Sequence, residues 1–182
     1  MSVIVVVATV NAVNFVDGLD GLAAGIVGIA ALATFAYSIV LSQTSGGTRI
    51  NVTAAIAAIL IGMCLGFLPH NFNPAKIFMG DSGAYFLGFM IATATLLASY
   101  TGYQSTTRHA ILAPLLVMAV PLYDMTTVIL IRLRDGRSPF AADKNHFSHR
   151  LVDLGLTKPQ AVLTIYLMTA TCGLGALLLH RV

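Results

Sequence analysis

Leu22-Ala-Ala-Gly-Ile-Val-Gly-Ile-Ala-Ala-Leu-Ala-Thr-Phe-Ala-Tyr-Ser-Ile-Val-Leu41 runs for twenty residues without a charge. Wound as an α-helix it would be about 30 Å long, the thickness of a bilayer's hydrocarbon core. Working outward, residues 50–68 and 83–100 repeat the pattern with only small polar interruptions. Residues 109–131 do so with Asp124, Pro114 and Pro121 inside, and residues 160–179 complete a set of five spans. The opening stretch, residues 2–13, is apolar but only twelve residues long. It lacks the charged start and cleavage site of a signal peptide. It reads as a half-helix or as the tail of a sixth span. The expected fold is therefore all-α: a polytopic membrane protein with five full transmembrane helices plus a short or truncated N-terminal one.

Composition agrees. Of 182 residues, 57% are hydrophobic and 9% charged, against roughly a quarter charged in soluble domains. Lipid is the expected solvent. No basic patch with interleaved aromatics is present, so nucleic acid is not an expected partner. Cys64 and Cys172 lie within apolar runs and read as packing residues. No repeat, low-complexity tract or linker divides the chain, so residues 1–182 are expected to form a single transmembrane domain.

The connections sort onto two sides. Residues 14–21, 69–82 and 132–159 share one side and hold Lys76, Arg132, Arg134, Arg137, Lys144, Arg150 and Lys158. Residues 42–49, 101–108 and the C-terminus hold Arg49, Arg108 and Arg181. Seven cations against three put the first group in the cytoplasm by the positive-inside rule. All seven acids are aspartates, and six of them fall in that same group of loops. Acids do little to steer topology, so their clustering asks for a chemical cause. Carboxylates beside basic loops suit a metal and a phosphate.

Three motifs supply candidates. The first is Asn11-Ala-Val-Asn14-Phe-Val-Asp17-Gly18-Leu19-Asp20-Gly21-Leu22. Asn11, Asn14, Asp17 or Gly18, and Gly21 share one face if the segment is helical. Two carboxylates three residues apart can bind Mg²⁺ or orient a sugar, and the asparagines add neutral oxygens and donors. The glycines at 18, 21, 25 and 28 read more simply as a helix-packing stripe. Asp17 and Asp20 sit at a membrane edge, where ionisable groups are functional by default.

The second motif is Asn73-Pro74-Ala75-Lys76-Ile77-Phe78-Met79-Gly80-Asp81-Ser82-Gly83. Its glycines permit a sharp turn, and Asp81 falls at the start of the next helix. Asp81 or Ser82 then serves as an N-cap, or the helix start takes a phosphate or metal-bound pyrophosphate. Phe78 stacks on a nucleobase or anchors the loop at the interface. Lys76 pairs a phosphate or marks the inside face.

The third motif is Asp143-Lys144-Asn145-His146-Phe147-Ser148-His149-Arg150-Leu151. His146 and His149 meet on one helical face. Too few further ligands lie nearby for zinc. With Lys144 and Arg150 they suit a pyrophosphate, as donors or as a general acid or base; the plainer alternative is a basic loop facing the membrane surface. Asp124 is expected to be structural, accepting bonds from backbone donors that the prolines free or pairing with a basic residue. His70, His109 and His180 read as interfacial.

In this order and on one side, the three motifs resemble the polyprenyl-phosphate N-acetylhexosamine-1-phosphate transferases, a family that includes the muramoyl-pentapeptide transferases and the GlcNAc-1-phosphate transferases. The resemblance implies that Asp81 is a Mg²⁺ ligand helped by Asn14, with Mn²⁺ as the alternative ion. Asn14 and Asp17 are implied to lie near the metal and the diphosphate, Asp17 as a catalytic residue. Gly18, Leu19 and Asp20 match the segment lining the nucleotide pocket, with Phe78 stacking on uracil. His146 and His149 match the outer histidines of a His-x-His-His loop that contacts diphosphate or sugar. Asn11 and Arg150 join the substrate-binding set. Ser148 replaces the middle histidine, which argues against the muramoyl-pentapeptide branch and favours a GlcNAc donor.

Family members are nearly twice as long and carry a cytoplasmic Asp-Asp motif in their first half. Nothing here matches that motif, so the chain reads as the C-terminal half of such an enzyme. The implied reaction moves a sugar-1-phosphate from a UDP-sugar to undecaprenyl phosphate and releases UMP. The implied setting is the bacterial inner membrane with a cytoplasmic active site, in contact with membrane lipid and with a homodimer as an allowed assembly. Two alternatives stay open: a transporter-like protein, favoured by the short first helix and Asp124, and an inactive fragment.

Overall fold

The computed structural model describes residues 2–44, 52–103, 112–139 and 145–178. Those residues form eight helices and no strand. They are α1 (Ser2–Val16), α2 (Leu22–Thr44), α3 (Val52–Asn71), α4 (Gly80–Tyr103), α5 (Leu112–Val117), α6 (Ala119–Arg134), α7 (Phe147–Asp153) and α8 (Lys158–Leu178). Four stretches are long and apolar enough to cross a bilayer: Leu22–Gln43, Val52–Asn71, Gly80–Ser99 and Lys158–Leu178. Parts of the expected spans, residues 50–51, 109–111 and 179, lie outside the described residues, as do Arg49, Arg108, His109, Asp143, Lys144, His180 and Arg181.

The expected fourth span, 109–131, is not one continuous helix. It breaks at Met118 between α5 and α6. Pro121 has no N–H to give the carbonyl four residues back, and its ring crowds that carbonyl. That carbonyl belongs to Val117, the last residue of α5. The helix restarts at once, with the Leu122 amide donating to the Met118 carbonyl at 3.1 Å. Pro69, by contrast, is accommodated inside the last turn of α3. The short opening segment is a single helix of 15 residues.

Helix α2 is the most enclosed span and packs against α3, α4 and α8, while α1 packs against α4 and α6. In lipid, helices associate through close packing rather than through a hydrophobic driving force. The small residues of α2 serve this end. Ala23, Ala24, Ala30 and Ala31 are buried, and a side chain at Gly28 would meet Cys64 of α3 at 3.2 Å. At Gly25 a Cβ would lie 1.9 Å from the Tyr166 ring of α8, and at Gly88 it would lie 2.8 Å from the Val10 Cα of α1. At Gly25 and Gly28 these contacts bear out the reading of the glycine stripe as packing surface, whereas Gly18 and Gly21 lie in the turn that precedes α2. The outward faces carry large apolar side chains such as Ile59, Leu65, Leu130, Leu167 and Leu174, which suits lipid contact.

Gly88→Ala is expected to push α1 off α4 and to destabilise the fold by about 1–3 kcal/mol. Gly62→Ala, where a Cβ meets nothing within 4 Å, is the neutral control. Unfolding in a denaturing detergent series would compare the two.

Candidate active site

The first two motifs meet through buried asparagine. Asn71, at the end of α3 and 4% exposed, accepts the Gly21 amide at 3.1 Å on Oδ1. Its Nδ2 donates to the Ile77 carbonyl at 2.9 Å. Gly21 holds φ at +81°, a region that suits glycine, and its carbonyl accepts the Tyr166 hydroxyl at 2.5 Å. Asp20 adds a second tie: its Oδ2 accepts Asn73 Nδ2 at 3.0 Å and the Ala75 amide at 3.1 Å. The loop at 17–21 and the loop at 72–79 are thus one polar construction. Lys76 and Ile77 amides close it by donating to the His70 carbonyl at 2.8 and 3.2 Å.

This construction sets Asn14, Asp17 and Asp81 together. Asn14 Nδ2 donates to Asp81 Oδ1 at 3.2 Å across the α1–α4 gap. Asp81 is exposed in the first turn of α4. Asp17 is half-buried at the end of α1, and its carboxyl is pushed up to about 6, first by burial and then by the charge of Asp81. Two carboxylates that repel one another beside a neutral amide form an all-oxygen donor set. Mg²⁺ usually takes one or two carboxylates and leaves its other positions to water and substrate phosphate. Among the described residues no cluster of three or more His, Cys, Asp or Glu side chains could cage a metal by itself. The donor set therefore fits a hard cation shared with a phosphate-bearing ligand.

The third motif closes over the first. His146 precedes α7 with extended backbone, φ −61° and ψ 146°, and His149 sits in that helix's first turn. Their rings are 6.4 Å apart. His149 Nε2 lies 3.5 Å from where a Cβ on Gly18 would be, so the histidine covers the turn between Asp17 and Leu19. His146 packs edge-on against Phe15 of α1 at 6.0 Å. Arg132 also lies over the Phe15 ring, 5.2 Å from its centroid. Arg150 stacks on Phe147 at 5.8 Å, and its Nε is buried without a hydrogen-bond partner among the described residues. A donor left this way is suited to an incoming acceptor oxygen.

Asp17, Gly18, Asn14, Asp81, His146 and His149 are thus brought to one end of the bundle. Leu19 is buried below them, and Asp20 faces the neighbouring loop. Phe78 projects outward, 77% exposed. Asn11 is not drawn in: its Nδ2 donates to the Val7 carbonyl at 2.7 Å, one turn back along its own helix.

Asn71 takes a part that the sequence reading did not give it: it joins the motifs, and nothing in its surroundings marks it beyond a polar side chain at a span's end. Asp124, expected to be structural and to accept from backbone donors or pair with a basic residue, does pair with one, His146 Nδ1 at 2.8 Å. An acid inside an apolar run was the available signal.

Residues 1–99 match glycosyl transferase family 4. The chain belongs to this family. It is 45% identical over 149 residues to a decaprenyl-phosphate N-acetylglucosaminephosphotransferase of Mycobacterium tuberculosis (strain ATCC 25618 / H37Rv), covering 77% of this chain and 37% of that protein. It is 38% identical over 142 residues to a probable undecaprenyl-phosphate N-acetylglucosaminyl 1-phosphate transferase of Bacillus subtilis (strain 168), covering 78% and 38%. A third relative is an undecaprenyl-phosphate alpha-N-acetylglucosaminyl 1-phosphate transferase of Haemophilus influenzae (strain ATCC 51907 / DSM 11121 / KW20 / Rd). It is 39% identical over 120 residues, covering 65% and 33%. The chain therefore spans between a third and two fifths of the length of these relatives. The family match takes in the first two motifs.

Asn71→Leu keeps the branched shape but leaves the Gly21 amide and the Ile77 carbonyl without their partner. A loss of about 1–3 kcal/mol is expected for each group stranded. Hydrogen exchange at the Gly21 amide should quicken. Asn71→Asp, which can still accept from Gly21, should protect that amide better than leucine does.

Proposed function

We propose that this chain provides the nucleotide-sugar end of a membrane transferase. The reaction passes a sugar-1-phosphate, GlcNAc-1-phosphate above all, from a UDP-sugar to a polyprenyl phosphate such as undecaprenyl phosphate. The observation that carries this reading is the meeting of Asn14, Asp17 and Asp81 at one end of the bundle, with His149 over Gly18 and His146 beside His149. The names of the relatives, each a polyprenyl-phosphate N-acetylglucosamine phosphotransferase, support the choice of acceptor and sugar.

In this reaction an oxygen of the lipid phosphate attacks the β-phosphorus of the donor. The bond from that phosphorus to the bridging oxygen breaks, and UMP leaves with the electron pair. The protein's part is to position both phosphates and to offset their charge. Mg²⁺ bound at Asp81, or Mn²⁺ in its place, would supply charge neutralisation on the diphosphate. Asn14 orients the Asp81 carboxylate through its amide. Asp17 adds negative charge to the same face. His149 and Arg150 present donors to the diphosphate oxygens, and the orphaned Arg150 Nε gains an acceptor when they arrive. Asp20, with its Oδ2 committed to the neighbouring loop, shapes the wall of the nucleotide pocket together with Gly18 and Leu19. Phe78 offers an exposed ring for the base.

The basic loops favour a cytoplasmic placement of this end of the bundle in the bacterial inner membrane. The apolar helix faces then meet lipid and the prenyl tail.

Membranes carrying the full-length transferase that contains this chain, given radiolabelled UDP-GlcNAc, undecaprenyl phosphate and Mg²⁺, are expected to move label into the lipid fraction with release of UMP. Asp81→Ala should lower that transfer by on the order of 10²–10³-fold, the size found when a charge-stabilising group is lost. Chelation by EDTA should do the same to the unaltered chain, with recovery on adding Mg²⁺. Transfer unimpaired by Asp81→Ala would refute the metal assignment.

A further inference from the structure

Asp124 lies within α6 and is 1% exposed. Both of its oxygens are engaged by the segment that enters α7. Oδ1 accepts the Phe147 amide at 2.5 Å, and Oδ2 faces His146 Nδ1 at 2.8 Å. A backbone N–H can only donate. An ionised carboxylate can only accept. Facing an ionised Asp124, His146 carries its proton on Nδ1, which leaves Nε2 with a lone pair when the ring is neutral. The ring is held on its flanks by Phe15 at 6.0 Å and by His149 at 6.4 Å.

We propose that Asp124 is a positioning residue: it fixes the orientation and tautomer of His146, so that Nε2 serves the transfer site as a proton acceptor. Its effect on transfer rests on the function proposed above; the tautomer itself does not. A neutral His146 cannot then be an Nε2–H donor to a phosphate oxygen. When a substrate O–H reaches Nε2, the proton passes to nitrogen and the electron pair stays on oxygen. The O–H belongs either to a singly ionised phosphate monoester or to a sugar hydroxyl. The imidazolium so formed faces the Asp124 carboxylate, which offsets its charge. His146 and His149 thereby differ in kind: His146 is tied to a buried acid, whereas His149 packs over Gly18.

Asp124→Asn reverses the logic. The Phe147 amide keeps the single amide oxygen, so the NH₂ group must turn to His146 Nδ1. That nitrogen becomes an acceptor, and the ring proton moves to Nε2. The test uses the full chain in lipid nanodiscs with ¹⁵N-labelled histidine rings, at a pH where the rings are neutral. The His146 signals are identified by their loss in His146→Gln. The expected result is a protonated Nδ1 in the unaltered chain and a protonated Nε2 in Asp124→Asn. A protonated Nε2 in the unaltered chain overturns the proposal whether or not the variant folds. An unchanged tautomer in a folded Asp124→Asn overturns it too.

In the transfer assay, Asp124→Asn should lower kcat by on the order of 10²–10⁴-fold with KM for UDP-GlcNAc little changed. Combining it with His146→Gln should cost nothing beyond His146→Gln alone, because Asp124 acts through that ring. A further drop in the double variant would show that Asp124 acts otherwise and would overturn the positioning role. With phosphate monoester and sugar variants as substrates, loss of the His146 effect on removing one hydroxyl identifies that group as the proton's source. Loss of the transferase reading would leave the ring-nitrogen result standing, so the two failures are separable.

Discussion

Gly21 stands between two side chains that come from far along the sequence. Its amide is held by Asn71 and its carbonyl by Tyr166, in a backbone conformation, φ +81°, that any side chain would strain. The constraint is severe because both peptide groups lie where water is scarce and an unpaired group is costly. Once Gly21 is held, the turn from Asp17 to Asp20 has little freedom. Asp20 then reaches the second loop through Asn73 and Ala75, and Asn14 reaches Asp81. The placement of the carboxylates follows from neutral amides and a phenol, not from ion pairs.

Charge enters afterwards, and in two different settings. Asp17 and Asp81 are neighbours of like charge, and the Asp17 carboxyl is raised first by burial and then by the charge of Asp81. Asp124 is far more buried, yet it is matched by two hydrogen bonds from the segment around His146. The first arrangement is suited to receive something positive. The second is complete within the chain and organises a neighbour. Acids that look alike in sequence therefore divide by whether the protein or a ligand supplies their partner.

Much of the fold was legible because lipid imposes so simple a rule. Uncharged runs of about 20 residues located α2, α3, α4 and α8, and the twelve-residue opening run proved to be one short helix. The break at Met118 was less legible: two prolines were visible in that span, but Pro69 sits within a helix without ending it. The site divided in the same way. Asp17, Asp81 and the histidines could be singled out as polar groups at span ends, and the family resemblance drew them together. The union of Asn71 with Gly21 and of Asp124 with His146 depends on contacts across 50 and 22 residues. No local pattern encodes such contacts. Asn11, which shares a helical face with the site in sequence, instead bonds back to Val7. Periodicity gives a face but not the direction in which an amide turns.

Tyr166 has one further implication. Its ring fills the space left by Gly25, and its hydroxyl ends at Gly21, so a span that carries none of the carboxylates sets the shape of the turn that does. Sliding α8 along its axis by a single helical turn would move that hydroxyl by about 5 Å and release the turn. Bilayer thickness, which governs how such a span sits in the membrane, thereby bears on the turn from Asp17 to Gly21 through one phenolic oxygen.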